Sequence, residues 1–135
     1  MTDFPIIDAH HHFWDIHANY HPWLRDEPMI PFRYGDYSSI RRNYLPEDYF
    51  GDADGLNIVK TVYVETEWDP TDPIGESRWV SALSEREGYP NAVVAQAWLD
   101  RPDAVDVVAA QAEFPLVKSV RHKPGRARCA GVHGL

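Results

Sequence analysis

The stretch Ile6-Ile7-Asp8-Ala9-His10-His11-His12-Phe13-Trp14 reads as a buried strand that ends in a His-x-His pair. Side chains of an extended strand alternate faces, so Asp8, His10 and His12 are expected on one side and Ile7, Ala9 and His11 on the other. Two imidazoles then converge on one face, where a divalent ion can take ring nitrogens at about 2.0–2.1 Å without strain. Asp8, on that same face, would hold an imidazole tautomer from behind the ligands. The competing readings are a solvated turn of three histidines and a pair of hydrogen-bonded core residues. An expression tag does not fit, because tags are longer and are not embedded behind an apolar run such as Phe4-Pro5-Ile6-Ile7.

Composition narrows the classes. With 135 residues, 44% of them hydrophobic and 13% aromatic, the chain can bury one core and is not of a disordered type. A formal net charge of −8 argues against the clustered basic face that a nucleic acid or an acidic membrane would need, and the one basic stretch, Lys118 to Arg128, is short. Cys129, the single cysteine, cannot close an internal disulfide, which suits a reducing compartment. The start lacks a leader pattern, and nowhere do about 18 apolar residues follow one another, so a cytoplasmic protein without a membrane span is the expectation.

Outward from the first strand, Asp15 to Tyr44 is a long aromatic and proline-rich connection of the kind that often covers a functional site. His17 and His21 lie in it and are minor candidates as ligands. Pro46 with Glu47 and Asp48 predicts a helix start, running to about Leu56. Ile58 to Glu65 is rich in β-branched residues and predicts a second strand that runs into Thr66-Glu67-Trp68-Asp69-Pro70. A helix opening at Asp72-Pro73 carries Trp79, Val80 and Leu83 at helical spacing and stops at Gly88. Ala92 to Trp98 is the next strand. Pro102-Asp103 opens a third helix, in which Val105, Val108, Ala109 and Ala112 are expected to form the buried face. Leu116 to His122 closes the series as a fourth strand. Strands alternating with helices imply a parallel sheet, and polar residues recur at the strand C-terminal ends, the edge where parallel α/β folds bind ligands.

The opening Ile-Asp-Ala-His-His-His-Phe-Trp-Asp, the strand exit Glu65 to Pro70 and the ending Ser119-Val120-Arg121-His122 resemble the amidohydrolase superfamily. The branch is that of sugar-lactone and pyrone-dicarboxylate lactonases, and the resemblance runs from about residue 4 to 126. It implies an α/β fold, the N-terminal half, about four β/α units, of a TIM (β/α)8 barrel. By the same resemblance His10 and His12 are the metal ligands and Arg121 and His122 bind the substrate's carboxylate or lactone oxygens, with Glu67 and Trp68 beside them. The cofactor it implies is one divalent ion, zinc first, or none, since lactonase-like members lack the carbamylated lysine of dinuclear relatives. The catalytic aspartate is expected beyond the chain's end, so the catalytic residue is unknown here.

A barrel of this kind takes roughly 250 residues. Residues 127–135 show neither periodicity nor family resemblance, and we read them as a tail left by truncation or a frameshift. Three activities follow as expectations. The first is hydrolysis of an anionic lactone of a sugar acid or dicarboxylate by a metal-dependent hydrolase. The second is a decarboxylase of the same superfamily. The third is an inactive fragment, whose open strand edges favour pairing with another copy. An all-β cupin also uses His-x-His, but three helical patterns argue against it. For Arg121 the plain alternative is an ion pair with Glu65 or Glu67, and Trp14, Trp68 and Trp98 are expected chiefly to pack the upper layer.

Overall fold

The computed structural model describes residues 3–31 and 35–123. Four strands, β1 (Ile6–His11), β2 (Ile58–Val64), β3 (Ala92–Gln96) and β4 (Val117–Arg121), form one sheet in the order 1-2-3-4. Every pairing is parallel. The helices are α1 (Pro22–Arg25), α2 (Pro46–Asp52), α3 (Gly75–Glu87) and α4 (Ala104–Ala112). The order never reverses, so the sheet has no switch point of the doubly wound kind. All four strands therefore end along one edge.

Local chemistry accounts for the boundaries. Pro46 occupies the first turn of α2, and Asp48 Oδ2 accepts the Leu45 N–H at 2.9 Å, which caps the helix. Gly88 ends α3 with φ of 79°, and its N–H reaches Ser84 O at 2.8 Å. The core lies between the sheet and the helices, where Phe13, Tyr49, Tyr63, Val80, Leu83, Val93 and Ala95 pack together.

Three expectations are corrected. β1 is not buried throughout: it is an edge strand, with Ile7 61% exposed and Ala9 exposed. In α4, Val105 is 80% exposed and Ala109 and Ala112 also face outward. The inward face runs instead through Ala104, Val107, Val108 and the fully buried Gln111. Its amide explains why. Gln111 Nε2 donates to Gln96 O and Pro73 O, each at 3.0 Å, and Oε1 accepts from Ser77 Oγ at 2.6 Å. A fully bonded glutamine is a core residue that hydropathy spacing does not detect.

The third correction concerns Asp8. Its Oδ2 accepts the Tyr49 hydroxyl at 2.7 Å, and the His11 ring packs on the same tyrosine at 5.0 Å. Strict alternation would have sent Asp8 and His11 apart. The ladder slips between Asp8 and His11, and the extra residue shifts the facing of everything after it.

The long connection is not wholly irregular. Trp14 and Tyr44 exchange two 2.9 Å backbone bonds that pin its ends, and it contains α1 and a short 3₁₀ turn, Ser38–Ile40. It folds over the exit of β2: Trp23 Nε1 donates to Thr66 O at 2.8 Å, and Asp69 N–H to Tyr20 O at 3.0 Å.

Candidate functional site

At the strand ends His10 and His12 stand edge to face, with ring centroids 5.0 Å apart. His12 Nδ1–H donates to Val64 O at 2.7 Å. A carbonyl oxygen can only accept, so this bond fixes the tautomer and leaves the Nε2 lone pair for another partner. Burial pulls His12 down to about 4, against the Val64 bond, and neighbouring His10, Arg121 and Lys123 pull it the same way. The ring is therefore neutral at physiological pH, the form a metal requires. Asp8 serves this pair indirectly, because its Oδ1 accepts the His10 backbone N–H at 3.0 Å. Burial raises the Asp8 carboxyl, but the His10 N–H, the Tyr49 hydroxyl and the His11 ring together hold it below its ordinary value.

Behind the pair stands a row of charges from β2 and β4. Arg121 Nε meets Glu65 Oε1 at 2.6 Å and its Nη2 meets Glu65 O at 2.7 Å. Glu65 is 1% exposed, whereas the Arg121 side chain keeps 28% of its surface in solvent. Glu67 sits in the left-handed region with φ of 57°, where its N–H reaches Glu65 Oε2 at 2.8 Å and its carboxylate pairs with Lys123. A non-glycine residue held there is strained and is kept in place by its surroundings. His122 Nδ1 accepts the Leu99 N–H at 2.8 Å, so its ring proton sits on Nε2, ready to donate.

Deeper than this rim lies a second polar cluster. Glu76, in the first turn of α3 and 3% exposed, accepts three bonds at Oε1: Tyr63 hydroxyl at 2.6 Å, Thr66 N–H at 2.7 Å and Thr66 hydroxyl at 2.8 Å. Its Oε2 is buried without a hydrogen-bond partner among the described residues. Burial pushes the Glu76 carboxyl up to about 7, and the Glu65 charge adds to this while the Tyr63 and Thr66 bonds oppose it. His21, fully buried, shares a 3.2 Å bond with Thr66 Oγ1 and packs on Trp68 at 5.1 Å. Burial lowers His21 to about 4.

The model of the amidohydrolase family denoted Amidohydro_2 matches residues 7–127. The chain belongs to the amidohydrolase family. It is also 37% identical over 121 residues to an uncharacterised protein, y4mH, of Sinorhizobium fredii. The match takes in 90% of this chain and 40% of that protein, so the chain spans about two fifths of the length of the curated relative it matches. No solved structure matches it.

In this amidohydrolase the sheet edge gathers His10, His12, Glu67, Arg121 and His122 from β1, the β2 exit and β4. Trp68 is set apart: it is 8% exposed and wedged between His21 and Trp79. A Cβ at Gly75 would come within 2.7 Å of Trp68 Nε1 and 2.2 Å of Asp72 Oδ2, so the start of α3 can approach that ring only as glycine. His17 is exposed, and His21 is tied into the buried cluster. His11 is a core residue, 6% exposed, lying 4.5 Å from the Phe13 ring. Tyr63, Thr66 and Glu76 were not singled out from the sequence. A signal did exist, since a tyrosine within a run of β-branched strand residues must find a partner for its hydroxyl when buried.

Among the described residues no three or more histidine, cysteine or carboxylate side chains come together as a metal site. The donor set of His10 and His12 nevertheless fits two ligands of such a site, because one ring has its tautomer fixed with a lone pair outward. Among the same residues no helix is long and apolar enough to cross a membrane. The tail and Cys129 lie outside the described residues.

Proposed function

We propose that this chain carries the first two metal ligands of a hydrolase that opens an anionic lactone, of a sugar acid or a dicarboxylate. The observation behind it is the His10–His12 pair at a parallel-strand end, with His12 Nδ1–H committed to Val64 O. Catalytic zinc usually takes three protein ligands, so the site is completed by donors beyond these two. A divalent ion held there, zinc by the imidazole donor set, supplies Lewis acidity, polarising a carbonyl and acidifying water.

The residues of this chain bind and orient. Arg121, partly exposed and cationic, meets the substrate carboxylate, and His122 Nε2–H donates to a lactone oxygen. Glu67, paired with Lys123, sets the spacing of that cation from the metal ligands. Trp68 forms the packed floor behind Glu67 rather than a contact surface. In the reaction a water oxygen bonds to the ester carbonyl carbon, the ring C–O bond breaks, and the proton released by water ends on the departing ring oxygen. The aspartate expected to carry that proton is not among the described residues. Closure of the parallel sheet into a complete barrel, a cytoplasmic location and pairing with a second copy belong to the same proposal.

The test is turnover. The protein and its His12→Ala variant are assayed with added zinc against a lactone panel and an aromatic-acid panel. Ring opening that falls on the order of 100-fold or more in the variant supports the proposal. Release of carbon dioxide from the acids instead would replace it with the decarboxylase, and no turnover with either would leave the chain a non-catalytic fragment.

A further inference from the structure

The buried acids are out of balance with the cations beside them. Glu65 and Glu76 are 1% and 3% exposed, and they interact electrostatically. Arg121 is committed to Glu65 through three short approaches. Glu76 has only neutral donors, Tyr63 and Thr66 from the β2 side, with His21 beyond Thr66; its Oε2 has no partner among the described residues. Two buried carboxyls thus share one guanidinium, and that guanidinium is the most solvent-reaching member of the cluster.

We propose that the protonation of the Glu65–Glu76 pair answers to the position of Arg121. Seated on Glu65, the guanidinium leaves one uncompensated charge in the interior; drawn outward by an anionic ligand, it leaves two, and the pair takes up a proton in its place. Capture of an anion at the rim is therefore coupled to proton uptake behind it. This rests on the reading of Arg121 as the carboxylate-binding group. The coupling is reciprocal: a pH low enough to protonate the pair loosens Arg121 and favours the ligand. Geometry supports a short path, since the Arg121 and Glu76 contacts meet on consecutive residues, Glu65 and Thr66.

Carboxyl carbon NMR titration of the full chain tests the linkage without a ligand. In Glu65→Gln the Glu76 midpoint should fall, and in Arg121→Gln the pair's midpoint should rise, each by about one pH unit or more. A general loss of packing would not move them in opposite directions. Equal midpoints in all three proteins overturn the proposal. Calorimetry with malonate at about pH 7.5, in buffers of different ionisation enthalpy, then reads protons taken up on binding. Uptake in the native chain that disappears in Glu76→Gln supports the coupling. Binding with no uptake overturns it and leaves the carboxylate-binding reading standing. No binding, with the opposite titration shifts intact, overturns that reading of Arg121 and the gating with it.

Discussion

The rim and the cluster beneath it are both polar and are joined through neighbouring residues of the β2 exit, yet they follow opposite rules. At the rim, His10 is exposed, Arg121 reaches solvent and Glu67 pairs with Lys123 in reach of water. Each member can change partner at small cost. Beneath, Glu76, Thr66, Tyr63 and His21 are all buried, and Glu76 Oε1 alone takes three donors. Removing one member there strands the others in a low dielectric, where an unmet polar group costs its full desolvation. Stability is thus concentrated in the cluster, and binding chemistry is left to the rim. The inner cluster holds the β2 exit, including the strained Glu67, in the conformation the rim needs.

The largest effect should come from Glu76→Ala. It leaves the Tyr63 hydroxyl and two Thr66 donors without their acceptor, and a loss of about 3–5 kcal/mol is expected in denaturant unfolding. A loss below about 1 kcal/mol would mean the cluster does not carry the fold.

Glu76→Gln should be smaller and pH-dependent. The carboxyl rises from its ordinary 4.5 to about 7 in the folded chain. A carboxyl raised on folding binds more protons folded than unfolded across that window, so native stability falls as pH climbs through it. The glutamine, which cannot ionise, should therefore be more stable than native by on the order of 3 kcal/mol at about pH 8, with the gap closing towards pH 5. His11 and His21 act with the opposite sign. Both drop from 6.5 to about 4 by burial, so their contribution is intact above 6.5 and lost as pH falls towards 4. A flat difference between Glu76→Gln and native across pH would contradict this assignment.

Much of the fold was legible in the sequence because its boundaries are set by local chemistry. The β-branched run Ile58–Val64, the proline at the head of α2 and the glycine closing α3 all act within a few residues. The rest was hidden because it depends on distant partners. Gln111 is a core residue only once Gln96, Pro73 and Ser77 surround its amide, and Asp8 turns to Tyr49 only because the β1 ladder slips. Glu76 reads in sequence as an ordinary first-turn acid, and nothing local says that it will be buried. The His-x-His spacing, by contrast, survived the slip, since His10 and His12 lie on the same side with their rings in contact.

Tyr49→Phe probes the support of β1 and should cost about 1–2 kcal/mol, because Asp8 loses its one hydroxyl donor. Smallest of all, His10→Ala should leave unfolding within about 0.5 kcal/mol of native, as befits an exposed side chain at the sheet edge. A loss as large as that of Glu76→Ala would erase the contrast between rim and cluster.

The most direct measurement is a long-range imidazole ¹H–¹⁵N NMR spectrum of the full chain during a zinc titration. The account predicts His12 neutral and protonated on Nδ1 before zinc. His10 and His12 should then shift together as zinc is added, while His11 and His21 stay fixed. His12 protonated on Nε2, or zinc moving other histidines and leaving this pair unchanged, would contradict it.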